Sequence, residues 1–381
     1  MFTTKKIAIV SVINDLVTDN RVNRTCMTLV ERGYEVHLIG RFLPGSLPVP
    51  AWPFQTTRMK MLFKSGPAFY FFFMWRLFFR LLFKKADLLF SNDLDTLLPN
   101  YLVSKIKNIP LIYDSHELFC EVPELQKTPA KRKAWLMIES AIVPRLRHCI
   151  TVNESIAEIF STQYKVGFNV VRNITDAPKG FVPKTKEQLG LPPDKKIVLL
   201  QGAGINIDRG AEELVEAMRY VEGAVLLIIG SGDCWSLLKQ KKEEKALKDK
   251  VIMIEKLSKS DLMHYTYNAD LGVSIDKNTN PNYYNSLPNK IFDYLHAGVP
   301  VLASHLPEIE KVITGFDVGD YINGYEPQHI AGKITDLLGS PRLFAYKNNT
   351  ARARAALNWD TEKIKLSEVI TRAAENRQRV I

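Results

Sequence analysis

What most constrains this chain is a series of short, wholly apolar segments, each followed by a stretch of helical period. "KIAIVSVI" (6–13), "EVHLIG" (35–40), "ADLLFS" (86–91), "PLIYDS" (110–115) and "HCITVN" (148–153) form a first set, and "KIVLLQGA" (196–203), "AVLLIIG" (224–230), "VIMIE" (251–255), "DLGVSI" (270–275) and "VPVLAS" (299–304) a second. A strand with no polar face is buried on both sides, as in a parallel sheet covered by helices. Residues 172–196, between the sets, carry Pro178, Pro183, Pro192 and Pro193 and no apolar period, as a linker does. The expectation is an α/β chain of two open domains, 1–176 and 177–357, facing across a cleft. Residues 358–381 then form a C-terminal helix with Asp360 as candidate N-cap, either finishing the second domain or crossing back to the first. Ligands of such sheets sit outside the carboxyl ends of the strands, so the cleft is the expected site.

With 381 residues, 46% hydrophobic and 24% charged, the chain can fill two cores and lacks the composition of a disordered protein. Cys26, Cys120, Cys149 and Cys234 are scattered without metal or redox spacing, which suits a reduced, cytoplasmic compartment. "MFTTKKIAIVSVIN" starts basic, but its apolar run is short, is interrupted by Asn14 and Asp15 and lacks a small-residue cleavage site. It reads as a buried strand rather than a leader. The formal net charge of +10 calls for an anionic partner: a phosphorylated ligand, an anionic membrane surface or nucleic acid. The basic residues do not interleave with aromatics in a recognisable module, so nucleic acid is set aside.

"AFYFFFMWRLFFRLLFKK" (68–85) is the most apolar stretch. A spanning helix needs ~20 apolar residues, and Arg76 and Arg80 interrupt this shorter run, so it does not span. At 100° per residue Arg76, Arg80 and Lys84 fall in one stripe. Two readings follow: a deeply buried helix showing a basic stripe to solvent, or an interfacial helix that puts Phe72 and Trp75 against headgroups while Arg76 and Arg80 meet anionic lipid.

"NSLPNKIFDYLHAGVPVLAS" (285–304) carries the strongest site pattern. Pro288 suits a helix start, the N–H groups of Asn289, Lys290 and Ile291 would face an anion, and Lys290 adds charge. Asp293 lies one turn on, so one ligand could touch both side chains. The plain alternative is a capped amphipathic helix whose Lys290 and Asp293 pair at the surface.

The segment "SLPNKIFDYLHAGVPVLAS" resembles the donor-binding signature of the retaining GT-B glycosyltransferases, group 1 or family 4-like. There a helix-opening loop binds the diphosphate of a sugar nucleotide and a Glu binds its ribose. Asp293 stands where that Glu is usual, and Asn285 stands where the family's paired Glu touches the transferred sugar. "QGAGINIDRGAEELVEAM" (201–218) is similar to the first strand, loop and helix of the family's C-terminal domain, with Arg209 in place of the basic residue that meets the diphosphate. Its fork suits phosphate. "IYDSHELF" (112–119) carries His116 and Glu117 where the family usually has a His facing the sugar. "DNRVNRTCMTLVERGYEVHLIG" (19–40) looks like its opening loop and helix, and "VVRNITD" (170–176) like its strand end, with Asn173 structural.

The resemblance implies two Rossmann-like domains and a retaining, metal-independent transfer of sugar from a nucleoside-diphosphate sugar to a saccharide or lipid-linked acceptor. Such a reaction would belong to cell-surface polysaccharide or glycoconjugate synthesis, in the cytoplasm or at the inner face of the membrane. His116, Arg209 and Lys290 are then the catalytic candidates. Asp293, Asn285, Ser286, Leu287, Asn289 and Gly204 are the donor-binding ones, and Asn14, Asp15, Arg21 and Glu117 further contacts. No cofactor or metal is expected, and Asp93 and Asp95 read as caps of the following helix. Two alternatives share the architecture: a sugar-nucleotide epimerase, and a catalytically weak nucleotide-sugar-binding protein.

Overall fold

The computed structural model describes residues 5–174 and 180–378. The chain divides into a first unit, Met1–Asn173 with Asp360–Ile381, and a second unit, Ile174–Trp359. The expected boundary at residues 176 and 177 lies outside the described residues, as does Pro178 of the linker.

The described strands of the first unit are β1 (Ile7–Asp15), β2 (Glu35–Arg41), β3 (Gln55–Met59), β4 (Leu88–Asn92), β5 (Leu111–Ser115), β6 (His148–Thr151) and β7 (Phe168–Val170). They form one parallel sheet in the order β3-β2-β1-β4-β5-β6-β7. The second unit has β8 (Lys196–Gly202), β9 (Ala224–Gly230), β10 (Val251–Glu255), β11 (Leu271–Ser274), β12 (Val301–Ser304) and β13 (Gly319–Ile322), in the order β10-β9-β8-β11-β12-β13. Strand order reverses between β1 and β4 in one sheet and between β8 and β11 in the other. Those two switch points are where open sheets leave room for ligands. Both domains are Rossmann-like.

The apolar runs are buried on both faces. Val198, Leu200, Leu226 and Ile228 enter one core of the second unit, while Ile197, Leu199, Leu227 and Ile229 enter the core on the opposite face. Burying one such side chain contributes about 1.5–3 kcal/mol, so alternate residues of a single strand stabilise two layers at once. Strands β3, β7 and β13 were not among the expected segments. They lie at sheet edges, are short and are mostly half-buried, so no continuous apolar run marks them.

The C-terminal helix Trp359–Gln378 groups with the first unit from Asp360 onward. Buried Glu362 accepts from the Arg172 main-chain N–H at 2.8 Å, Arg372 donates to Asn169 Oδ1 at 2.7 Å, and Lys363 pairs with Glu31. Because the helix begins at Trp359, Asp360 sits inside the first turn rather than at the N-cap.

Helix Gly66–Phe83 is buried along one face and exposed along another. Phe69, Phe73, Leu77 and Leu81, four residues apart, are buried in the first unit's core. Phe71, Phe72, Trp75 and Phe83 remain outside, Trp75 at 54% exposure and Phe83 at 81%. Arg76 is exposed and donates to Lys60 O at 2.5 Å, while Arg80 is half-buried.

Candidate functional site

At the switch point of the second unit, the loop after β8 and the turn after β11 are locked together. Lys277 N–H donates to Asp208 O at 2.8 Å. Gly210 has φ 75°, and a Cβ there would collide with the carbonyl oxygen of Ile275. Only glycine takes that conformation and that approach together. The consequence is that Arg209 lies against Asp276: Arg209 Nη1 is 3.2 Å from Asp276 Oδ1, and the guanidinium stacks on the Tyr283 ring at 4.1 Å. Burial pulls the Arg209 pKa down, but Asp276 and Tyr283 outweigh it and leave the group raised.

Lys290 reaches the same place from helix Asn289–His296, its Cε 4.0 Å from where a Cβ of Gly202 would stand. Burial lowers the Lys290 pKa and Arg209 pushes the same way, while Asp276 opposes. Arg209 thus pairs with a fully buried carboxylate while Lys290 stands beside the end of the same strand, a net positive set at the carboxyl end of the sheet.

Asp293 does not pair with Lys290. Its Oδ1 is held by Lys259 and its Oδ2 accepts from Gln201 Nε2 at 2.9 Å, with Thr266 Oγ1 donating to Gln201 Oε1 at 2.8 Å. The carboxylate is thus fixed in direction with lone pairs left over. Ile291 N–H, expected to face an anion, instead donates to Pro288 O at 3.0 Å, so the first turn closes on itself. Asn285 donates from Nδ2 to Pro281 O at 2.8 Å and Ser286 from Oγ to Tyr283 O at 2.9 Å, both holding the preceding turn Pro281–Tyr284. Leu287 is half-buried against the core, Asn289 is exposed, and Gly204 is exposed beside Asn206.

In the first unit, His116 follows β5 and lies between two carboxylates. Its Nδ1 is 3.2 Å from Asp93 Oδ2, its main-chain N–H donates to Asp93 Oδ1 at 2.8 Å, and its Nε2 is 3.3 Å from Asn92 Oδ1 and 3.6 Å from Asp114 Oδ2. Burial disfavours the imidazolium, yet Asp93 and Asp114 prevail and raise its pKa to about 9. Charged at neutral pH, the ring donates from both nitrogens and accepts from neither.

Asp93 does not cap the helix Leu94–Lys107, as its place in the sequence suggested. Its side chain goes to His116, and its backbone sits at φ 58°, ψ 170°, a region comfortable only for glycine that costs a non-glycine residue about 1–3 kcal/mol. Burial raises its pKa, although His116 opposes. Asp95 is buried in the first turn of the same helix, and burial raises its carboxyl well above the usual range, with Asp93 adding to it.

Arg21, a proposed ligand contact, is buried: its Nε and Nη2 fork Asp114 at 2.9 and 2.7 Å, and its Nη1 donates to Val171 O at 2.7 Å. Burial would raise the Asp114 carboxyl, but Arg21 first and His116 next hold it far below the usual range. Asp15 is likewise turned inward, bonded by Val17 N–H, Ser46 Oγ and Arg58. Asn14 donates to Asp19 Oδ2 at 3.3 Å, Arg24 bonds Asn173, and the Glu117 carbonyl accepts from Ser115 Oγ at 2.9 Å.

Sequence reasoning did not single out Asp276 or Asp114. Each closes an apolar strand at its carboxyl end, which is a readable signal. The group at His116 belongs to one unit and the group at Arg209 to the other.

Residues 19–177 match the family model for glycosyltransferase family 4, and residues 182–355 that for glycosyl transferases group 1. A curated D-inositol 3-phosphate glycosyltransferase from Thermobispora bispora is 24% identical over 229 residues, 57% of this chain and 51% of the relative. The chain thus spans about half the length of that relative. Among solved structures, sucrose-phosphate synthase from Thermosynechococcus elongatus superposes with a TM-score of 0.78 at 20% identity, over 97% of this chain and 99% of that one. HepE from Anabaena, in complex with UDP and glucose, superposes with a TM-score of 0.72 at 14% identity, over 96% and 99%.

Proposed function

The chain belongs to the GT-B glycosyltransferases of the group 1 and family 4 type, and on that premise we propose that it moves a sugar from a nucleoside-diphosphate sugar to an acceptor hydroxyl, with retention and without a metal. The observation that carries this reading is the convergence of Arg209 and Lys290 at the switch point of the second sheet. The leaving group is a diphosphate, and charge grows on its oxygens as the glycosidic bond breaks. Donors aimed there lower the barrier most, because they bind the transition state more strongly than the ground state. The Arg209 fork and the Lys290 point charge fill that role. Asp293, fixed by Lys259 and Gln201, takes the ribose hydroxyls. His116, an imidazolium whose two nitrogens are taken by Asp93, Asn92 and Asp114, offers a positive charge at the carboxyl end of the first sheet rather than a base.

The experiment is a donor panel. Purified protein is incubated with UDP-, GDP-, ADP- and dTDP-sugars, with and without acceptor saccharides, and release of free nucleoside diphosphate is followed. UDP-glucose goes first, since HepE was solved with UDP and glucose. Acceptor-dependent release supports transfer; interconversion of the donor alone, or binding without turnover, refutes it.

The acceptor side of the reading is a lipid-linked or cell-surface saccharide reached from a cytoplasmic membrane face. Among the described residues no helix is long and apolar enough to cross a membrane. Helix Gly66–Phe83 instead exposes Phe71, Phe72, Trp75 and Phe83, and Leu62 stands out at 86% exposure beside Phe63, which stacks on Phe72 at 5.3 Å. Arg76, Lys60 and Lys64 border this edge, and Lys or Arg near anionic lipid contributes about 1 kcal/mol each. All four cysteines are buried free thiols, which suits a reducing compartment. Co-sedimentation with phosphatidylserine vesicles should therefore fall at least about tenfold in the double variant Phe72→Ser, Trp75→Ser. Unchanged binding, or none by the wild type, overturns the membrane reading.

A further inference from the structure

We propose that Asp276 is a positioning residue for the two cations of the second unit, fixing the Arg209 guanidinium and offsetting the charge beside Lys290 so that both meet a diphosphate already in place. The proposal rests on the nucleoside-diphosphate reading above and names a residue which that reading does not contain.

Asp276 follows β11 with 0% exposure, and only one of its carboxylate oxygens is used. Oδ1 takes Arg209 Nη1, whereas Oδ2 is buried with no hydrogen-bond partner among the described residues, as is Arg209 Nε. A buried carboxylate left half satisfied is costly, and a fold would tolerate it where a neighbouring charge depends on it. The backbone that carries this carboxylate is pinned. Tyr325 OH donates to Asp276 O at 2.9 Å and is itself 3.0 Å from Ser304 Oγ, while Lys277 N–H is tied to Asp208 O. Arg209 is gripped from two sides, by Asp276 through Nη1 and by the Tyr283 ring, which fixes the plane of its fork.

The charges around Lys290 point the same way. Lys290 Cε stands 4.0 Å from where a Cβ of Gly202, the last residue of β8, would be, and there it feels the charge of Arg209 from the loop after β8 and of Asp276 from the turn after β11. On its own helix the nearest carboxylate, Asp293, is already taken by Lys259 and Gln201. Asp276 therefore fixes Arg209 by contact and offsets the charge beside Lys290 before a ligand arrives. Replacing it with the isosteric amide leaves shape unchanged, frees the fork to rotate and exposes Lys290 to Arg209 alone.

Two measurements on the full chain test this. Lysines are reductively methylated with a ¹³C label and titrated by NMR, the Lys290 signal being assigned with Lys290→Arg. UDP, GDP, ADP and dTDP binding is measured by calorimetry. In Asp276→Asn the Lys290 midpoint should fall by at least about half a pH unit, and affinity for the nucleotide the wild type binds should fall about tenfold. In Arg209→Met, which removes the other neighbour and covers the case that Asp276→Asn does not fold, the Lys290 midpoint should rise. An unchanged midpoint in either variant, or an Asp276→Asn that binds the nucleotide as tightly as wild type, overturns the positioning role. A wild type that binds none of the four nucleotides, while Lys290 responds as stated, overturns the donor reading and the diphosphate part of this inference with it.

Discussion

Raising the pH should unfasten the first unit at His116. The folded state holds this ring between Asp93 and Asp114 with its pKa raised to about 9, against about 6.5 in an unfolded chain. The folded state thus binds the proton more tightly than the unfolded one. That contribution is complete below about pH 6.5 and is lost as pH rises through about 9. The difference of roughly 2.5 pH units corresponds to about 3 kcal/mol at 1.36 kcal/mol per unit. Urea unfolding of wild type and His116→Asn at pH 6.5 and 9.5 isolates the effect, because lysines and tyrosines titrate in both proteins and cancel in the difference. Wild type should lose about 3 kcal/mol more than His116→Asn between those pH values. If the two proteins show the same pH slope, or if ring NMR places the His116 midpoint near 6.5, the two-carboxylate cage is wrong.

Other expectations test the scaffold around both groups. Arg21→Met strips Asp114 of its fork while leaving it buried, and broken buried pairs cost about 3–5 kcal/mol; denaturation should show a loss in that range. The same variant should raise the His116 midpoint, since Arg21 is the cation that holds it down. Gly210→Ala combines a positive φ with a collision at Ile275 O and should cost about 2 kcal/mol or more. It should also weaken nucleotide binding in calorimetry, because Arg209 is the next residue.

The two parallel sheets were legible because β1, β8 and β9 are apolar on both faces, a pattern that few other structures satisfy. The edges were not. β3 reads "QTTRM" and β13 "GDYI", and half-exposed strands of that length look like loops. For the sites, "RG" at 209–210 and "PNK" at 288–290 are local patterns that bring their residues together here. Asp276, the partner of Arg209, comes from a distant strand end, and only the sheet order puts it there. Arg21 shows why residue type misleads: in the opening loop and helix it reads as a ligand contact, whereas its neighbours in space are Asp114 and Val171, 93 and 150 residues away. Asp93 failed for another reason. An Asp before a helix is the commonest kind of cap, and nothing in its sequence announces a positive φ or a histidine opposite.

The function proposed for the second unit requires that Arg209 and Lys290 act on a nucleoside diphosphate. The most direct measurement is turnover of the best sugar nucleotide by wild type, Arg209→Ala and Lys290→Ala, with folding checked by thermal melting. Each variant should lose at least about tenfold in kcat/KM, the scale of one charge-assisted contact to the leaving group. Wild-type rates in both variants, with every sugar nucleotide the protein uses, would contradict it.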